Sequence, residues 1–105
     1  MKKIFDAVLF AKAISDDTRQ KIMNICCCEW CSVNQIVDKL DVSQPTVSHH
    51  LAVLREADLV TLREEGKQTF YTLNQDRVAF CCGQLMVKFA PEALATENLL
   101  KTIKA

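Results

Sequence analysis

The sequence predicts a mainly α-helical fold carrying a single β-hairpin, and three observations carry that prediction. Only two glycines and two prolines occur in 105 residues, half of which are apolar. Such a composition favours a compact helical globule over a disordered or fibrous chain. Apolar residues recur at spacings of three and four along most of the stretch 4–57. The period then switches to two across 59–73, where β-branched and aromatic residues replace the helix formers. A chain of this length holds one modest core.

Ile4, Ala7, Val8, Ala11 and Ile14 fall at helical spacing and predict a first amphipathic helix over 4–14. Ser15, Asp16 and Asp17 supply cap oxygens and early negative charge for a second helix from about Thr18. Its stripe is Ile22, Ile25 and Cys26, with Met23 alongside, and it is expected to fray near Glu29 and Trp30. Ser32, with Gln35 three residues on, reads as a capping box for a short third helix that turns Val33, Ile36, Val37 and Leu40 inward. After a tight connection at Asp41-Val42, Ser43 caps a fourth helix, whose first turn accommodates Pro45 because no donor is needed there. Val47, Leu51 and Leu54 form its buried stripe, ending near Ala57-Asp58.

Leu59 to Arg63 and Thr69 to Leu73 read as strands around the segment 64–68, where Gly66 permits the turn. Asn74 or Gln75 opens a last long helix with Val78, Cys81, Cys82, Leu85, Met86 and Phe89 largely on one side, stopped by Pro91. Beyond it, Leu94, Leu99, Leu100 and Ile103 indicate a short helix or a loosely held tail. The expected division is a folded domain over 1–91 and a tail over 92–105.

Charge gives no direction, since thirteen basic and thirteen acidic residues cancel. A nucleic-acid reading must then rest on local geometry and on doubling by dimerisation. The apolar runs fall far short of a membrane span. Met1-Lys2-Lys3 is followed by Asp6 and Lys12 and by no small-residue cleavage site, so a cytoplasmic location without a secretory signal is expected. Six cysteines are many for this length. Cys26, Cys27 and Cys28 are consecutive, as are Cys81 and Cys82, and adjacent cysteines are poor partners for ordinary structural staples. In a reducing compartment such clusters bind metal or respond to redox, although a free cysteine also packs as a small apolar residue.

Three short helices followed by a hairpin is the winged helix-turn-helix order. Between Ser32 and Val60 one apolar stripe serves two successive helices and leaves Gln44, Thr46, Ser48 and His49 facing outward. These short polar side chains suit base edges and phosphates in a major groove, though a polar helix face is otherwise simply solvated.

The stretch SQPTVSHHLAVLREADLV, followed by LREEGKQTFYTLN, is very similar to the recognition helix and wing of the ArsR/SmtB family of bacterial repressors. Asp17-Thr18-Arg19 resembles that family's lead-in to its second helix. The resemblance covers roughly 4–89. It implies a homodimer joined by its first and last helices, bound to a palindromic double-stranded operator and released by an inducer. It further implies that Ser43, Gln44, Thr46, Ser48 and His49 contact DNA, with Arg63 and Lys67 meeting phosphate from the wing. His50, beside the buried stripe, reads as structural.

Two recurrent inducer sites of that family do not carry over. The positions of its Cys-x-Cys pair at the third helix hold Ser32 and Asn34, and the two histidines, His49 and His50, both lie on the recognition helix. The sensing site is therefore read from the cysteines themselves. Soft thiolates select arsenite, antimonite, cadmium, lead, zinc or copper(I) over hard cations. Cys27, Cys28 and Cys31, at separations of three and four near the end of the second helix, would share a face. Cys81 and Cys82 would complete the site from the last helix, whereas Cys26 continues the core stripe. The expected ligand is accordingly an inducer, arsenite, antimonite or a soft metal ion, with no obligatory cofactor. The alternative is redox sensing, which a branch of the same family performs with one cysteine on the second helix and one on the last. A thiol enzyme using Cys81-Cys82 or Cys28-Glu29-Trp30-Cys31 is the reading from another class. Redox catalysts place the latter spacing after a strand in an α/β fold, and no such strand is expected here.

Overall fold

The computed structural model describes the backbone of residues 4–104 and side chains through Thr102. The reading of Met1-Lys2-Lys3, and that of the Ile103 side chain, lie outside the described residues. The order is α1 (Ala7–Ile14), α2 (Asp17–Ile25), β1 (Cys31–Ser32), α3 (Val33–Lys39), α4 (Gln44–Glu56), β2 (Val60–Glu65), β3 (Gln68–Leu73), α5 (Gln75–Phe89) and α6 (Leu94–Lys104). This is the winged helix-turn-helix arrangement that the periodicity predicts.

Caps set most of these boundaries. Asp6, Asp16, Ser43 and Asn74 each accept a backbone N–H three residues on, at Leu9, Arg19, Thr46 and Arg77. Each cap satisfies a donor that the helix itself leaves orphaned. Ser32 and Gln35 form the reciprocal capping box of α3. At the end of α4, Asp58 takes a left-handed backbone, φ 62°. That conformation lets the Leu59 N–H return to the Leu54 carbonyl at 2.9 Å, the usual device for closing a helix before a strand.

The core sits where α2, α3 and α4 meet the root of the hairpin. Ile22, Ile36, Val47, Leu51, Leu54 and Leu59 are fully buried there. Burying each such side chain contributes about 1.5–3 kcal/mol. The shared stripe of α3 and α4 thus fixes α4 against α3, as its spacing predicts.

Three expectations are corrected. First, α1 buries Phe10 and Ala13, while Val8 is 62 % exposed and Ile4, ahead of the helix, 91 % exposed. The stripe read from periodicity turns outward at Val8 and Ala11 and stays half-buried at Ala7 and Ile14, because α1 has two apolar faces and α2 and α5 take the one carrying Phe10 and Ala13. Second, α2 stops at Ile25, four residues short of Glu29. The Cys26 carbonyl is claimed by the hairpin instead, accepting from Leu73 N at 2.8 Å and Thr72 Oγ1 at 3.2 Å, so it cannot continue the helical ladder. Third, Cys31 and Ser32 pair antiparallel with Tyr71 and Phe70, which adds a strand and makes the sheet order β1-β3-β2. Two residues are too few to show a period of two.

The hairpin strands are longer than expected, with Glu65 opposite Gln68 and a tight turn at Gly66-Lys67. Gly66 has φ 61°, which glycine adopts without penalty. α5 presents Val78, Cys81 and Leu85 to the core, but Cys82 and Phe89 face outward, so its apolar residues do not all serve one side. α6 lies back on α5, with Leu99 filling the space above Gly83.

Candidate nucleic-acid interface and cysteine cavity

The N-terminal half of α4 carries a connected row of polar side chains. Ser43 Oγ lies 2.9 Å from Thr46 Oγ1, and Gln44 Nε2 donates to Ser48 Oγ at 2.9 Å. Ser43, Gln44 and His49 are exposed, with Thr46 and Ser48 half-buried. α4 faces solvent here because its opposite stripe is spent on the core. The wing approaches the same end of the helix. A groove of about 260 Å³ is lined by Ser32, Val33, Asn34, Gln44, Lys67, Gln68 and Thr69. Gln44 and Lys67, predicted separately, therefore border one concavity. Asn34 joins them there, a residue that sequence reasoning considered only as a position lacking cysteine.

Arg63 is arranged differently. Its guanidinium stacks over Trp30 at 4.5 Å and pairs with Glu65 at 3.4 Å. Both interactions are local to the sheet, so a phosphate would compete with them. Sequence reasoning missed Trp30, whose role depends on the unforeseen β1 bringing 30–31 beside the hairpin.

The five cysteines read as ligands are not brought together. Cys27 and Cys28 lie in the turn after α2 and are joined by a disulfide between adjacent residues, which staples no separate elements together. Cys31 sits in β1, buried, its thiol directed at the Glu29 carboxylate and the Ile25 carbonyl. The one-face argument for Cys27, Cys28 and Cys31 fails because no helix spans them. Among the described residues, no group of three or more His, Cys, Asp or Glu is placed to hold a metal ion.

Burial separates the remaining thiols. It pushes the Cys26 thiol up to about 11, and raises Cys31 and Cys81 as well. These three stay protonated at neutral pH and are poor nucleophiles. Cys82 is exposed and, with Cys27, lines a cavity of about 520 Å³ between α1, α2 and α5. Phe10, Ile14, Met23, Leu73 and Val78 form apolar walls, and Asp17, Gln20, Lys21 and Asn24 add polar groups. A thiol-seeking molecule finds sulfur on two facing elements there.

The model of the bacterial regulatory protein arsR family matches residues 16–61, from the cap of α2 into β2. An HTH-type transcriptional regulator of Methanocaldococcus jannaschii is 38% identical over 85 residues, which are 74% of this chain and 89% of that protein. An arsenical resistance operon repressor of Staphylococcus xylosus is 34% identical over 84% of this chain and 86% of its own. The chain belongs to the arsR family. Among solved structures, reduced HlyU from Vibrio cholerae has a TM-score of 0.64 at 32% identity, covering 80% of this chain and 87% of that one. ArsR-family proteins are DNA-binding transcriptional regulators and not enzymes. The Cys28–Cys31 spacing leads into a two-residue edge strand of a mainly helical fold rather than following a strand. No helix among the described residues is long and apolar enough to cross a membrane.

Proposed function

We propose that this chain is a cytoplasmic, homodimeric operator-binding repressor released by a thiophilic inducer captured at Cys27, Cys28 and Cys82. The observation that carries the proposal is the shared cavity, which sets sulfur from the end of α2 against sulfur from α5. Trivalent arsenic takes three sulfurs. With the Cys27–Cys28 bond reduced, Cys27 and Cys82 offer two sulfurs from the cavity wall, and Cys28, next along the turn, would have to swing in as the third. Cys31 and Cys81, buried and protonated, are secondary ligands that the site recruits only by opening the core. The likeness to an arsenical resistance repressor supports arsenite or antimonite, with a soft metal ion as the related choice.

α1 and α2 wall the cavity, and α2 packs on α4. Closing sulfur around an inducer would shift α2, and the recognition helix with it. A tenfold loss of operator affinity needs a difference of only about 1.4 kcal/mol between the two states.

The Cys27–Cys28 disulfide favours a second reading, in which two-electron oxidation of that dithiol is itself the signal. The two are separated by titrating the reduced protein on its operator with arsenite, then with peroxide. Release by arsenite that is lost in Cys27→Ser and Cys82→Ser supports the first. Release by peroxide alone, reversed by a dithiol, supports the second. Arsenite release that survives both substitutions contradicts this site.

The dimer reading has its own support. Ile4, Val8, Leu9, Leu85 and Phe89 line one long apolar groove of α1 and α5, and Phe89 is 72 % exposed. A second copy would cover it. Val8→Glu with Phe89→Glu is expected to turn a micromolar dimer into a monomer in sedimentation. A wild-type chain that sediments as a monomer would contradict the arrangement.

A further inference from the structure

The guanidinium of Arg19, in the first turn of α2, reaches three elements at once. Nε donates to the Ala13 carbonyl at 2.7 Å and Nη2 to the Lys12 carbonyl at 3.1 Å. These carbonyls belong to the last turn of α1, beyond the helix's own i+4 donors; the Lys12 carbonyl also accepts from Ser15 N and Oγ. Nη1 lies 2.9 Å from Nδ1 of His50 on α4. A guanidinium only donates, so His50 Nδ1 accepts. The imidazole is therefore neutral, with its proton on Nε2, and Nε2 faces Asp16 Oδ2 at 3.8 Å.

We propose that Arg19 and His50 are positioning residues for operator binding. Their bond ties the recognition helix to the corner between α1 and α2, and so sets the angle at which Gln44, Ser48 and His49 meet DNA. The proposal rests on the operator-binding reading above. It adds that the cysteine cavity and the recognition helix are joined through this tether, since α1 supplies both the carbonyls Arg19 holds and the Phe10 and Ile14 walls.

The charged and titratable groups acting on His50 are Asp16 and Arg19, from the cap and first turn of α2, and His49, from its own helix. Burial is the largest influence and lowers its pKa; Asp16 opposes this, while Arg19 and His49 reinforce it. His50 therefore gains its proton below the ordinary imidazole range. Protonation removes the acceptor and sets a second cation against Arg19, so the tether opens and affinity falls as pH falls. His49 is exposed on the same helix and its ring lies 5.7 Å from that of His50.

The test removes this neighbouring imidazole first. In a His49→Gln protein, operator affinity is followed by fluorescence anisotropy from about pH 8 down to about pH 5, a range that spans the ordinary imidazole value. Affinity should fall by up to about tenfold per pH unit for each titrating His50 once below its pKa. Adding His50→Gln, whose neutral side chain still accepts from Arg19, should hold affinity near its starting value and flatten the profile. Arg19→Lys should weaken binding at least about tenfold at every pH, since one ammonium cannot span both carbonyls and the imidazole. Parallel pH profiles with and without His50→Gln overturn the proposal. So does an imidazole ¹⁵N spectrum of the free protein with the proton on Nδ1. Absence of operator binding at every pH overturns the operator reading instead, and the imidazole spectrum then decides the tether.

Discussion

Gln44→Ala and Ser48→Ala are each expected to cost operator affinity about 1–3 kcal/mol where the contact to a base edge is direct. The two side chains are hydrogen-bonded to each other at 2.9 Å. Their effects should therefore not add, because removing either frees its partner to reorient. A double-mutant cycle measured by anisotropy checks this, with a coupling of at least about 0.5 kcal/mol expected. Lys67→Ala provides the contrast. Lys67 projects from the turn of the wing toward the same groove, and a phosphate contact carries no sequence information. Its loss should weaken binding to all sequences alike and reduce the salt dependence by about one charge per protomer. Unchanged affinity in both α4 variants would remove the recognition-helix assignment.

The largest effect on stability is expected from Leu54→Ala. Leu54 is fully buried where α4 meets the root of the hairpin. Its loss removes transfer free energy and leaves a cavity, together about 2–5 kcal/mol. A domain of this size has about 5–15 kcal/mol in all, so the midpoint of urea unfolding should fall sharply. Leu54→Met, which keeps the volume, should cost less than about 1.5 kcal/mol. Equal midpoints for Leu54→Ala and wild type would mean that the core does not lie on this stripe.

What was legible in the sequence follows from which forces are local. Caps and helical stripes act over three or four residues, so Ser32-Gln35, Ser43 and the Val47-Leu51-Leu54 face were readable without any tertiary knowledge. The end of α2 was not, because the competitor for the Cys26 carbonyl is Leu73, far along the chain. The same long-range pairing created β1, stacked Trp30 on Arg63 and moved Cys27, Cys28 and Cys31 off the helix on which a common face had been read. Periodicity found the apolar residues of α1 but not which of its two faces turns inward, since both have the same spacing. The role of Arg19 was invisible for a related reason. Its motif marked the start of a helix, whereas its hydrogen bonds run to α1 and, 31 positions away, to α4.

The central claim is that two copies of this chain place two α4 helices on one operator. It is tested most directly by selecting bound fragments from random double-stranded DNA with the reduced wild-type protein. The account predicts enrichment of an inverted repeat whose half-sites lie one helical turn apart, about 10 base pairs centre to centre, or a multiple of it. Gln44→Ala should relax that preference within each half-site while leaving the spacing unchanged. Enrichment of a single asymmetric site, or of no sequence at all, would contradict it.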